Sequence, residues 1–380
     1  MQPRQQSEGD GDVVEQGRGR FHGAHQGSGL AWQLRDTRTP YPRAPMPSAP
    51  PELDDLEAVL AAARSRVEVT RTPSAGAQPL PVYRIALGNA SPHVPAVGFF
   101  GGVHGLERIG TQVVIAWLRS LVVRLDWDES LHRELQQVRL VFMPLVNPGG
   151  MLRGTRANPA GVDLMRNAPV DAIDGVAPLV GGQRISAGLP WYRGRAGAPL
   201  EPESAALCDT VEAELHGRPF SLALDCHSGF GLHDRLWFPH AHTRKPIAHL
   251  PELHALHEVF ERTLPQHPYV FEPQSRQYLA HGDLWDHAYL RAPPGGAVFL
   301  PLTLEMGSWL WVKKNPRQLF SRAGIFNPLI AHRHERVLRR HFPLLDFLVR
   351  AAIGSQRWLP APEQRERLRQ DALAKWYGTP

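Results

Sequence analysis

His104 and Glu107 stand three residues apart, just after AVGFFGG (96–102), an apolar run closed by glycines. His227 follows SLALDC (221–226), and Glu305 ends VFLPLTLE (298–305). Arg153, Arg156 and Arg166 follow a fourth apolar run, VRLVFMPLV (138–146). An imidazole and a carboxylate at that spacing, in a tight turn, can reach one metal ion. A histidine from a distant strand completes a His2Glu set whose fourth position stays open to water. Such an ion acidifies water and polarises a carbonyl. A separate carboxylate must then take the water's proton and return it to the leaving group. One fixed arginine can stabilise the developing oxyanion, and another can clamp a carboxylate in bidentate fashion. Zinc suits the donor set, and manganese or cobalt could also occupy it.

The HxxE spacing alone says little in a chain with 19 histidines, and it recurs at His249/Glu252 and His332/Glu335. Those two pairs fall in polar, helical stretches and read as solvated faces. Position at strand ends sets His104 and Glu107 apart.

The elements that must carry these residues alternate in type. PELDDLEAVLAAARSR (51–66) has proline and acids in its first turn, with Leu53, Leu56, Val59 and Leu60 on one face, and predicts a helix. Strands are predicted at 67–71, 82–87, 96–102, 138–146, 221–226 and 298–305. Helices are predicted at 106–125, 203–216 and 249–262, and over most of 328–352. Alternation of this kind argues for an α/β sandwich around a parallel or mixed sheet. In such sheets ligands bind at the carboxyl ends of strands, where all the residues above stand. The stretch 147–200 is rich in Gly, Pro, Asn and Arg, and a loop that long in a compact domain is usually functional.

The first 50 residues, glycine-rich and then proline-rich without apolar period, read as a disordered tail. Residues 51–355 read as the catalytic domain and 356–380 as a charged, loosely attached extension. The 42 % apolar share excludes wholesale disorder, and the net charge of +5 is spread along the chain, so no basic stripe for nucleic acid is formed. Two cysteines cannot build a disulfide framework. No apolar run is long enough to span a membrane, and the first residues do not resemble a secretory signal. A cytoplasmic protein without nucleic-acid or membrane partners is the expectation, and oligomeric state stays open.

The ordered set resembles the zinc carboxypeptidases related to carboxypeptidase A, with shorter bacterial peptidase and amidase members. The HxxE ligand pair matches His104 and Glu107. The signature NPDG…R…GVDLNRN is matched by NPGGMLRGTRANPAGVDLMRN (147–167). DCHSG supplies His227, and LTLEMG supplies Glu305. The resemblance covers roughly residues 80–350. It implies a three-layer α/β sandwich with a mixed, mostly parallel sheet of about eight strands, and one zinc ion per chain held by His104, Glu107 and His227. It assigns Glu305 as general base and Arg156 as the carbonyl-polarising residue, with Arg153 as the alternative. Asp163 would hold the first zinc histidine from behind. Arg166 would grip a substrate carboxylate, with Tyr278 and Asn167 beside it; Tyr278, Gly282 and Asp286 keep the spacing of the family's mobile tyrosine.

The sequence also departs from that pattern. Met165 replaces the asparagine of NRN, Gly149 the aspartate of NPDG, and Leu106 an arginine. Trp285 aligns with the position that sets the side-chain pocket. The implied activity is hydrolysis of a peptide or amide bond next to a carboxylate-bearing residue. Two alternatives are an N-acyl-amino-acid deacylase of the succinylglutamate desuccinylase or aspartoacylase type, and a non-catalytic zinc-binding module. Retention of Glu305 weighs against the module, which needs ligands but no base.

Overall fold

Four charge-poor apolar runs form the middle of one sheet, because a strand covered on both faces must be apolar along its length. In the computed structural model, which describes residues 48–378 apart from 230, 294 and 296, these are β3 (Ala96–Gly101), β4 (Arg139–Met143), β5 (Phe220–Gly229) and β8 (Val298–Gly307). All six residues of β3 and all five of β4 are buried. The sheet is completed by β1 (Glu68–Pro73), β2 (Pro81–Gly88), β6 (Arg235–Phe238) and β7 (Val270–Pro273), in the order β1-β2-β4-β3-β5-β8-β6-β7. Pairing is parallel for β4–β3, β3–β5, β5–β8 and β6–β7, and antiparallel elsewhere. This is the mixed, mostly parallel sheet expected. Its edge strand β1 is exposed throughout and carries threonines and charges, which suits an edge. The two strands not read from the sequence, β6 and β7, have four residues each, too few to show a period.

Helices Pro51–Ala63, Arg108–Arg124 and Ala331–Ile353 pack together as one layer, the latter two against β3 and β5. Helices Pro202–Glu214 and Leu284–Leu290 pack as another, the first against β1, β2 and β4 and the second against β8. No helix among the described residues is long and apolar enough to cross a membrane.

Two expectations change at the C-terminus. Residues Pro362–Trp376 form a helix that docks on helix Leu250–Thr263, and Leu368, Ala372 and Trp376 are buried. The segment is therefore attached, not loose. The docking also takes Glu252 out of solvent, while His249 is half-buried. Glu252 is 2 % exposed and ion-paired with Arg365, and His249 Nδ1 lies 2.9 Å from the Tyr289 hydroxyl. His332 and Glu335 are exposed, as read. The tail proposed for residues 1–50 lies outside the described residues except for its last three positions.

Candidate active site

Parallel pairing puts the carboxyl ends of β3, β5 and β8 on one edge of the sheet, and register does the rest. Gly101 pairs with Cys226, and His227 pairs with Glu305. The chain leaves β3 and turns within His104–Glu107, where the Glu107 amide donates to the His104 carbonyl at 3.0 Å. Asn327 braces this turn. Its amide donates to the Leu106 carbonyl at 2.8 Å, and its Oδ1 accepts from Ile109 N at 3.0 Å. Gly110, one turn into the following helix, lies so close to β5 that a Cβ there would stand 2.0 Å from the Cys226 carbonyl oxygen. Only glycine allows that approach, which brings Glu107 to His227.

His104, Glu107 and His227 are each about 3 % exposed, and each offers a ligand atom within 4.8 Å of the others. Two observations test whether a divalent cation fits. The His104 Nδ1 atom is buried without a hydrogen-bond partner, 3.6 Å from Asp163 Oδ1. Burial, then the charges of Arg156 and His227, hold its pKa well below the ordinary histidine range, so it presents a neutral lone pair. His227 Nδ1 faces Glu107 Oε2 at 3.0 Å while Nε2 meets Asp225 Oδ2 at 2.7 Å. Burial disfavours a charge on His227, but the carboxylates of Asp225 and Glu107 outweigh it and raise its pKa well above the ordinary value. A cation between Nδ1 and Glu107 satisfies the same carboxylates without that proton. The residues fit a zinc ion of the His2Glu type.

Asp225 was not singled out in the sequence, although a residue two before His227 on a strand must share its face. It is fully buried, and its Oδ2 also accepts from Trp285 Nε1 at 2.9 Å. Trp285 therefore supports the metal centre from behind. It packs edge-on against Phe100 and does not line the cavity beside the triad, contrary to the expectation for that position.

Arg156 comes from the loop after β4. Its Nε donates to Asp163 Oδ2 at 2.8 Å and its Nη1 to Glu107 Oε1 at 3.3 Å, and these carboxylates keep it charged although it is half-buried. Arg153 instead donates to the Pro159 carbonyl at 2.9 Å and lines no part of this site. Glu305 faces the triad from β8. Burial raises its pKa to about 7, with Glu107 adding to the effect and His227 and Arg156 opposing it.

Arg166 is 2 % exposed, yet no described carboxylate lies within ion-pairing distance of it. Its nearest polar partners are the carbonyls of Met165 (3.1 Å) and Val180 (3.4 Å), and its guanidinium carbon stands 5.6 Å from the centre of the Tyr278 ring. Gly282 ties the Tyr278 loop to this arginine: with φ of +73°, a Cβ there would stand 1.9 Å from the Arg166 carbonyl oxygen. Asn167 does not reach the cavity. Its Nδ2 donates to the Arg193 carbonyl at 3.2 Å and its Oδ1 accepts from Glu201 N at 2.7 Å, so both ends of the amide are used in holding the loop.

Glu107, Arg156, Arg166, Tyr278 and Glu305 line one cavity of about 400 Å³. Its remaining walls include Val180 and Trp191 from the long loop, and Arg235 and Trp237 from β6. Sequence reasoning missed all four, because β6 was not read and the loop has no period.

The zinc carboxypeptidase family matches residues 54–306 of the chain. Among solved structures, the carboxypeptidase A from Helicoverpa armigera is 17 % identical with a TM-score of 0.60, over 80 % of this chain and 72 % of that one. Bovine thrombin-activatable fibrinolysis inhibitor, solved with tick carboxypeptidase inhibitor, is 18 % identical with a TM-score of 0.57, over 80 % of this chain and 94 % of that one. These likenesses establish the fold. No curated protein matches the sequence. With two thirds of its length matched and a buried His2Glu set at the strand ends, the chain belongs to the zinc carboxypeptidase family.

Proposed function

We propose that the protein is a zinc-dependent hydrolase that cleaves a peptide or amide bond next to a terminal, carboxylate-bearing residue. The observation that carries this reading is Arg166: a buried cation without a carboxylate of its own, in the same cavity as the metal ligands and Glu305. Buried charges are otherwise paired, so an anionic substrate group is the natural partner.

In this reading His104, Glu107 and His227 hold one zinc ion per chain, which when bound acidifies water and polarises the scissile carbonyl. Arg166 receives the substrate carboxylate in bidentate fashion, and Tyr278 covers it. Arg156 donates to the carbonyl oxygen as charge develops there. Glu305 accepts a proton from the attacking water on its carboxylate and delivers it to the departing amine. Asp163 orients Arg156, and Asp225 orients His227. Two free cysteines suit a cytoplasmic setting.

The test is hydrolysis by the zinc-loaded protein, followed by mass spectrometry, of peptides with free C-termini, the same peptides amidated, and N-acyl-amino acids. Release of the last residue from free-carboxylate peptides only, abolished by a chelator, is expected. Cleavage of acyl-amino acids alone would move the chain to the deacylase branch. Equal cleavage of amidated peptides would remove Arg166 as the clamp.

A further inference from the structure

An apolar groove opens on the surface beside the active-site cavity. Leu232, Trp309, Val312, Pro316 and Leu319 line it, with Lys313 the one charged lining residue among those described, and its volume is about 470 Å³. Leu232 and Leu319 are about half exposed, and Phe320, next to Leu319, is almost wholly exposed. Contiguous apolar surface left open in this way marks a binding surface. The segment behind it is fixed: Gln318, buried, donates from Nε2 to the carbonyls of Gly324 at 2.8 Å and Asn327 at 3.0 Å. The groove is also continuous with the cavity. Gly231 and His233, on either side of Leu232, line the cavity, and so does Gly307, two residues before Trp309. Backbone joins the two walls: Ser308 N donates to the Gly229 carbonyl at 2.9 Å and Trp309 N to the Gly231 carbonyl at 3.1 Å. A Cβ on Gly307 would stand 2.8 Å from the carbonyl oxygens of both Gly231 and His233, so the glycine lets these walls meet.

The topology gives the groove its place along a substrate. The turn Leu164–Arg166 packs on helix Leu284–Leu290, in one helix layer. Residues 309–327, which build most of the groove, are tied through Asn327 to Leu106 and Ile109 at the start of helix Arg108–Arg124, in the other layer. The carboxyl ends of β3, β5 and β8, with the metal ligands and Glu305, stand between the two layers. A substrate with its carboxylate on Arg166 and its scissile carbonyl at the metal therefore runs its acyl side toward the groove. We infer that the groove receives the residues on the acyl side of the scissile bond, and that the substrate is a peptide whose residues there are bulky and apolar. This deepens the hydrolase reading and rests on Arg166 as the clamp.

The experiment uses the zinc-loaded full-length protein and three substrates that end in the same two residues. One is the acylated dipeptide, and the other two are longer peptides with either leucine and phenylalanine or serine in the preceding positions. The apolar peptide is expected to exceed the serine peptide about tenfold or more in kcat/KM, since burying one large apolar side chain is worth that much. Leu319→Glu, at an exposed position outside the catalytic machinery, is expected to remove most of that preference and to leave the dipeptide unchanged. Equal kcat/KM for the two longer peptides with the wild-type protein would overturn the groove, whether or not the variant folds, and would leave the hydrolase reading standing. A preference unchanged by a folded Leu319→Glu would overturn it too. A dimer in sedimentation that Leu319→Glu disperses would make the groove an interface between copies and overturn the inference. Failure to cleave any of the three, with zinc bound, would remove the hydrolase reading and the groove together.

Discussion

Asp225→Asn isolates what a fully buried carboxylate does for the metal centre without touching a ligand. Asp225 Oδ2 accepts two hydrogen bonds, from His227 Nε2 at 2.7 Å and from Trp285 Nε1 at 2.9 Å. With a carboxylate there, His227 carries its proton on Nε2 and turns a lone pair on Nδ1 toward Glu107 and the ion. An asparagine whose oxygen takes the place of Oδ2 still accepts from both donors, and its NH2 then replaces Oδ1, a buried atom with no hydrogen-bond partner. The negative charge behind the imidazole is lost, and with it the polarisation that makes His227 Nδ1 a stronger metal ligand. Loss of an outer partner of a ligating histidine costs about 10–100-fold in metal affinity, or about 1.4–2.8 kcal/mol. The assay is competition for zinc against a chromophoric chelator, with thermal melting of the metal-free protein as a folding control. Trp285→Phe removes one donor but leaves the carboxylate, and is expected to lose less than Asp225→Asn. Zinc affinity of Asp225→Asn within twofold of wild type, in a folded protein, would refute this account of Asp225.

Three further substitutions test the fold around the site. His341, 1 % exposed and 2.9 Å from the Tyr269 hydroxyl, is pushed down by burial to about 4. The unfolded chain therefore binds the extra proton below about 6.5, so stability is full above that pH and falls toward pH 4 by about 3 kcal/mol. Denaturant melts of His341→Gln should lose that part of the slope between pH 6.5 and 4, and parallel curves would contradict the assignment. Trp376→Ala removes an indole that packs on Phe238 and Phe271 and donates to the Phe271 carbonyl at 2.9 Å. A loss of about 3–5 kcal/mol is expected, and a change under about 1 kcal/mol would mean that the C-terminal helix is not part of the core. Gly282→Ala sets a Cβ against the Arg166 carbonyl at positive φ, and should destabilise by about 2 kcal/mol or more while raising KM for free-carboxylate substrates; an unchanged KM would separate the Tyr278 loop from carboxylate binding.

The metal set and Glu305 were legible because their strands are largely apolar and these polar residues stand at the ends. Parallel pairing converts that pattern into convergence, as the His227–Glu305 register shows. Asp225 was legible in principle, by its two-residue offset from His227. The C-terminal helix was too, since Leu368, Ala372 and Trp376 recur at every fourth position within a charged stretch. Asn167 and Trp285 were not. Their neighbours in sequence belong to the site, and only the folded chain shows that one side chain turns to the Arg193 and Glu201 backbone and the other to Asp225. The walls contributed by β6 and by Val180 and Trp191 depend on contacts distant in sequence, which no local period records.

The central claim is that Glu305 moves the proton while the ligands hold zinc. Glu305→Ala, loaded with one zinc per chain and checked by metal analysis, tests it most directly. The account expects zinc retained and kcat on a cleaved free-carboxylate peptide reduced by at least about 100-fold. Substantial kcat in the zinc-loaded variant would contradict it.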